Sequence, residues 1–261
     1  MEYIEVPILS ECFAKGKKPE YLFWVGCLGS IDDRAKKISR AFCQILSACE
    51  VDYAILGKEE TCCGDPVRRA GNEMLYQMQA LTIIEMLKMY EVKKIVTFCP
   101  HCFNTFKNEY PDLDAEFEVI HSTIFLENLV EQGKLKINPD IFNKNIITYH
   151  DACYLGRANN IYDTPRNLID KLTGNRTEMN RCRSYALCCG AGGAQMFKEA
   201  EKGNKEIFIE RIEEVLEIKA DIIATACPYC MVMLSDGIKY KNEEEKISNY
   251  DIIELIAKSL L

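Results

Sequence analysis

The chain has 261 residues, 48% of them hydrophobic and 28% charged, which is enough apolar material to bury a core in one large domain or two modest ones. Its formal net charge of −8 argues against nucleic acid as a partner: a phosphate backbone needs a stripe of lysine and arginine, and here each basic cluster sits beside acidic residues. The longest apolar stretches, such as residues 21–25 and 231–234, fall far short of the roughly 18 residues that suggest a membrane-spanning helix, so membrane contact is expected only through a partner.

The opening MEYIEVPILSECF carries acidic residues where an export signal carries basic ones, which predicts a cytoplasmic protein. The run YLFWV at 21–25 then reads as a buried strand leading to Cys27. Asp32 and Asp33 are N-cap candidates for a helix whose apolar face is Ala35, Ile38, Phe42, Ile45, Leu46 and Cys49. Next come Cys62-Cys63-Gly64, a buried strand IVTF at 95–98, and Cys99-Pro100-His101-Cys102. The polar, proline-containing stretch 131–144 marks the expected division, giving domains 1–143 and 144–261.

After that stretch the order repeats. A strand IITY at 146–149 leads to Cys153, and Cys188-Cys189-Gly190 follows. A helical face of Phe208, Ile212, Val215 and Leu216 precedes a strand IIAT at 222–225 and Cys227-Pro228-Tyr229-Cys230. The gap between the first cysteine and the pair is 34 residues in both halves, and between the pair and the last couple it is 35 and 37. An internal duplication explains this better than chance does. Alternating strands and helices predict an α/β fold of two Rossmann-like βαβ units with parallel sheets, the cysteines lying at strand ends and in the loops that follow them.

Fourteen cysteines without an export signal point to metal rather than disulfides. Thiolates are soft ligands suited to iron–sulfur clusters and zinc, and a C-x-x-C couple converges two sulfurs on one centre. Adjacent cysteines reach different irons of one cluster more easily than they chelate one tetrahedral ion. Gly64 and Gly190 allow positive φ beside them, and Pro100 and Pro228 stiffen the loops of the couples. An ordinary cubane takes four cysteines, so five per half is one too many for a cubane or a zinc site. Cys12, Cys43, Cys49 and Cys182 lie outside the two sets and are expected to be packing residues rather than ligands: Cys49 is on the apolar face of the predicted helix, Cys43 is in the same helix, and Cys182 has no counterpart in the first half.

At these residues, with the wording LFWVGC, KEETCCGDPVRRAGNE, CPHCFNTFKNEYP, YHDACYLGR and LCCGAGG, the chain resembles the CCG family, named for its cysteine-cysteine-glycine core. That family includes the B subunit of heterodisulfide reductase and the iron–sulfur subunits of several oxidising systems. The resemblance implies that Cys27, Cys62, Cys63, Cys99 and Cys102 hold one noncubane [4Fe-4S] cluster. It implies that Cys153, Cys188, Cys189, Cys227 and Cys230 hold another. Some relatives carry zinc in an altered half, so zinc at one site is the alternative the family offers.

By the same resemblance the chain is an electron-transfer subunit of a multi-subunit oxidoreductase. It relays electrons between a flavoprotein and a quinone- or thiol-linked partner, beside a ferredoxin-like iron–sulfur subunit, and any place at the inner membrane is peripheral and partner-mediated. Two alternatives stand beside the relay: a heterodisulfide-type reductase whose substrate sulfurs bind cluster iron, and a zinc-stabilised scaffold with no redox role. A ligand-accessible pocket at a cluster favours the reductase.

The loop Gly190-Ala-Gly-Gly193 lacks both the P-loop Lys-Ser/Thr and the dinucleotide spacing, so it reads as close packing against a cluster. His101 and His150 are candidates for tuning a cluster by hydrogen bonding or for moving a proton, with a structural role near a polar loop as the alternative, and His121 is a weaker candidate. Arg68, Arg69 and Arg157 stand close enough to the motifs to offset thiolate charge or to contact an anionic substrate, with a solvated surface role as the default.

Overall fold

Both apolar runs that lead into cysteines in the first half become neighbouring parallel strands. In the computed structural model, which describes residues 5–199 and 202–261, helix α1 (Leu9–Ala14) precedes β1 (Tyr21–Trp24), β2 (Tyr53–Ala54), β3 (Lys94–Thr97) and β4 (Glu118–His121). These form one parallel sheet in the order β2-β1-β3-β4, with Leu22 opposite Ile95 and Trp24 opposite Thr97. Phe23, Trp24, Ile95 and Val96 are fully buried, as expected for parallel strands covered on both faces.

The connections are helical: α2 (Gly26–Ile31), α3 (Ala35–Ala48), α4 (Asp65–Arg69), α5 (Glu73–Met89) and α6 (Pro100–Asn104), with α7 (Ser122–Glu131) after β4. Helix α3 buries the predicted face, and Phe42 meets Phe23 edge-on at 4.9 Å. Of the two N-cap candidates, Asp32 accepts the Ala35 N–H at 2.7 Å, while Asp33 pairs with Lys36.

The second half repeats the plan with β5 (Ile147–Tyr149), β6 (Ile222–Thr225) and β7 (Ser248–Asp251), parallel in the order β5-β6-β7. Its helices are α8 (Asp163–Asp170), α9 (Ile207–Glu217), α10 (Pro228–Tyr240) and α11 (Ile252–Lys258). Strands β5, β6 and β7 correspond to β1, β3 and β4. Where β2 flanks β1, β5 has a single parallel bridge, Ile147 to Arg176. The registers match as well: Thr97 lies opposite His121, and Thr225 opposite Asp251. The chain is thus an α/β protein with two related parallel sheets.

The chain divides into two compact units, Met1–Phe125 and Leu126–Leu261. The polar stretch 131–144 lies in the second unit, where Leu135 and Phe142 are buried and Ile137 bridges Leu260. Among the described residues no helix is long and apolar enough to cross a membrane.

One local expectation needs correction. Pro100 and Pro228 do not stiffen loops. Each is the first residue of a helix, α6 or α10, where its missing N–H costs nothing and its fixed φ suits the turn. Cys99 and Cys227 therefore cap these helices, and Cys102 and Cys230 lie in their first turns.

Candidate functional site

The first five cysteines come from three places along one sheet edge. Cys27 follows β1 in the first turn of α2, Cys62 and Cys63 precede α4, and Cys99 and Cys102 follow β3. Their thiols form one continuous chain. Cys62 is hydrogen-bonded to Cys27 and Cys63, the Cys63 and Cys102 sulfurs are 3.4 Å apart, and Cys102 contacts Cys99.

The second five repeat this order. Cys153 contacts Cys188, Cys188 contacts Cys189, Cys189 contacts Cys230, and Cys230 contacts Cys227. The correspondence extends to the backbone. Gly64 has φ +93° and Gly190 φ +94°, and each directs its N–H at the first sulfur of its pair, Cys62 at 3.5 Å and Cys188 at 3.3 Å. Positive φ is thus required in both places, as glycine permits. All ten predicted residues are gathered, five in each unit.

Crowding perturbs these thiols strongly. S–H donation from Cys102 and Cys62 holds Cys63 down to about 6, and donation from Cys153 and Cys189 holds Cys188 far below the ordinary thiol range. Their donors Cys102 and Cys153 are pushed up in return. Cys43, which belongs to neither set, shows what packing alone does: burial pushes it up to about 11. None of the fourteen cysteines forms a disulfide, and 3.4 Å between Cys63 and Cys102 is far beyond the ~2.05 Å of an S–S bond. Five soft sulfur donors exceed what one tetrahedral ion takes, so the donor set fits a multinuclear thiolate-held group.

The repeated sulfur chains coincide with a repeated family match. Residues 21–107 and 147–235 each match the family described as the CCG cysteine-rich domain. The chain belongs to the CCG family.

Three curated relatives are similar to this chain over nearly its whole length. The "Probable iron-sulfur-binding oxidoreductase FadF" of Bacillus subtilis (strain 168) is 46% identical over 258 residues, covering 98% of this chain and 36% of that protein. The "EtfAB:quinone oxidoreductase" of Syntrophomonas wolfei is 40% identical over 251 residues, covering 94% of this chain and 35% of that protein. One polypeptide of the dihydromethanophenazine:CoB–CoM heterodisulfide reductase of Methanosarcina barkeri is 33% identical over 254 residues, covering 93% of this chain and 59% of that polypeptide. The chain spans about a third of the length of the first two and somewhat over half of the third.

Around the CCG cysteines, several groups hold the loops. Glu60 accepts the N–H groups of Val25 and Gly26, which ties the Cys27 turn to the segment before Cys62. Burial pushes its carboxyl up to about 8. His101 is buried and its Nδ1 lies 2.8 Å from Asp65, which also pairs with Arg69. Arg68 and Arg69 both reach Glu109, and Arg157 donates to the Ala186 carbonyl at 2.7 Å. Arg68 and Arg69 are thus half-buried among carboxylates, while Arg157 remains exposed. His121 bonds Thr123 and accepts its N–H at the start of α7, at the place Asp251 takes before α11.

Two buried arginines escaped the sequence reading. Arg166 is bidentate to Asp151 at 2.7 and 2.8 Å and also bonds Glu178. Arg211, on the inner face of α9, donates from Nε to His150 Nδ1 at 3.1 Å. Cys43 is buried in α3 and Cys49 at its C-terminal cap, and Cys182 sits by Glu178 and Arg166 rather than in the sulfur chain. An open cavity of about 660 Å³ reaches the second CCG set at Cys188; Gly190, Gln195, Lys205, Ile207 and Tyr240 also line it.

Proposed function

We propose that each five-cysteine set holds one noncubane four-iron cluster, and that the chain relays electrons between a flavoprotein and a quinone- or thiol-linked partner. The observation that carries this reading is the identical order of sulfur contacts in the two units, five thiols in each. Five soft donors at one place suit a cluster with several irons, whereas zinc leaves one sulfur over. The bound clusters supply the one-electron chemistry. The protein's part is to hold ten thiolates at fixed separations, exclude water from most of them, and offer N–H donors to the sulfurs.

The names of the relatives, an iron–sulfur-binding oxidoreductase and an EtfAB:quinone oxidoreductase, support a place in a flavoprotein-linked chain. Electrons enter and leave through groups outside these 261 residues, either on other chains, including a ferredoxin-like one, or on a longer polypeptide.

A second reading draws on the cavity at Cys188. A centre open to solvent on one side admits a small disulfide, which makes the second set a reductase site. One experiment separates the two. Artificial dyes are expected to reduce the clusters of the isolated chain, with turnover from a physiological donor only when its partner modules are present. Reduction of a small disulfide by the chain and a low-potential dye alone, at roughly 1–10³ per second, would replace the relay with the reductase.

A further inference from the structure

The position three residues before the first cysteine is occupied by Trp24 in one unit and His150 in the other. The strand registers make them equivalent. Trp24 lies opposite Thr97, two residues before Cys99. Tyr149 lies opposite Ala224, and one step further places His150 opposite Thr225, two residues before Cys227. Both side chains are buried, and each has a ring nitrogen without a hydrogen-bond partner among the described residues: Nε1 of Trp24 and Nε2 of His150. An indole nitrogen only donates. Which role the imidazole plays is decided by its neighbour.

That neighbour is Arg211, which is fully buried. A guanidinium carries only N–H donors, so at 3.1 Å from its Nε the His150 Nδ1 is an acceptor. Arg211 is itself held in place by the Arg181 carbonyl at 2.8 Å and by Glu214. An Nδ1 that accepts from a guanidinium carries no proton of its own, so the buried ring is neutral. A neutral imidazole with a bare Nδ1 has its one hydrogen on Nε2. A ring nitrogen of His150 lies within 4.8 Å of the Cys189 and Cys230 sulfurs, and Nε2 is the nitrogen that Arg211 leaves available.

We propose that Arg211 locks His150 in the Nε2–H tautomer, so that this N–H donates a hydrogen bond to sulfur at the second centre and raises its reduction potential. Reduction adds negative charge to the sulfurs, and a fixed N–H donor favours the more negative state. The same tautomer removes His150 from the ligand set, because a protonated Nε2 has no lone pair to offer a metal. His150 is therefore a positioning and tuning residue. The inference rests on the iron–sulfur reading above.

The test is a potentiometric titration followed by electron paramagnetic resonance on the anaerobically purified chain, comparing wild type with His150→Phe and His150→Gln. In His150→Phe the equilibrium constant for reducing the second centre is expected to fall about tenfold, ~59 mV for one electron, with the first centre unmoved. His150→Gln keeps an N–H donor and is expected to stay near wild type. Iron retained at the second set with an unmoved potential in His150→Phe would overturn this inference alone. Iron absent from that set in the wild type would overturn it together with the reading beneath it. Should both variants lose the second centre, pulsed resonance on the wild type decides. A weak nitrogen coupling with a proton that exchanges in D2O supports the donor, and a strong coupling from a coordinated nitrogen, or no exchangeable proton, overturns it.

Discussion

The carboxyl of Glu60 accepts the backbone N–H of Gly26, the residue immediately before Cys27. With the Val25 N–H also bonded at 3.1 Å, a single side chain joins two segments that each bring a cysteine to the first set. Replacing Glu60 with alanine leaves two partly buried N–H groups without acceptors, at about 1–3 kcal/mol each. We expect Glu60→Ala to lower the unfolding free energy measured in urea and to speed loss of metal from the first set to a chelator. The second set should release metal at the wild-type rate. Equal acceleration at both sets would contradict this local role.

The glycines of the two pairs make a graded prediction. A Cβ at Gly64 would meet Tyr76 Cδ2 at 2.7 Å, whereas at Gly190 the nearest atoms, on Ile207 and Met233, are 3.6 Å away. Both positions have φ near +94° or +93°, so alanine costs roughly 1–2 kcal/mol of backbone strain at either one. Gly64→Ala adds the clash and should be the more destabilising of the two. Chemical denaturation of the two variants checks the order, and a larger loss in Gly190→Ala would contradict it.

Arg166 predicts a larger effect. Its guanidinium is fully buried, bidentate to Asp151 and bonded to Glu178. Arg166→Leu leaves a buried carboxylate without its counter-charge, which typically costs about 3–5 kcal/mol. Arg166→Lys should recover little of this, because a point charge does not reproduce a fork that serves two carboxylates. Urea unfolding of both variants measures it. A lysine variant as stable as wild type would show that charge alone suffices.

What the sequence disclosed followed from periodicity. The ten motif cysteines, Gly64 and Gly190 stand out because a duplicated spacing survives along the chain, and the runs before Cys27, Cys99, Cys153 and Cys227 read as strands because fully buried parallel strands are apolar throughout. The helix at 35–48 was legible from its apolar stripe and from Asp32. The C-x-x-C couples were misplaced in loops because proline suits a loop and a helix's first turn equally well, and only the backbone that follows decides. Arg166, Arg211 and Glu60 were not legible at all. A charged residue carries no sign of burial in its own letter, since its burial depends on partners such as Asp151, which is 15 residues from Arg166, and His150, which is 61 from Arg211. The Trp24 and His150 correspondence lay in the sequence, but its meaning needed the orphaned ring nitrogens and Arg211.

The central claim is that two separate five-cysteine sets each hold their own iron–sulfur cluster, and counting metal in single-set variants tests it most directly. Iron, sulfide and zinc should be measured per chain after anaerobic purification of the wild type, Cys63→Ala and Cys189→Ala. The account predicts about eight irons per wild-type chain and about four in each variant, with the resonance signal of the untouched set unchanged. A colourless wild-type chain with zinc in both sets, or an iron count that neither substitution lowers, would contradict it.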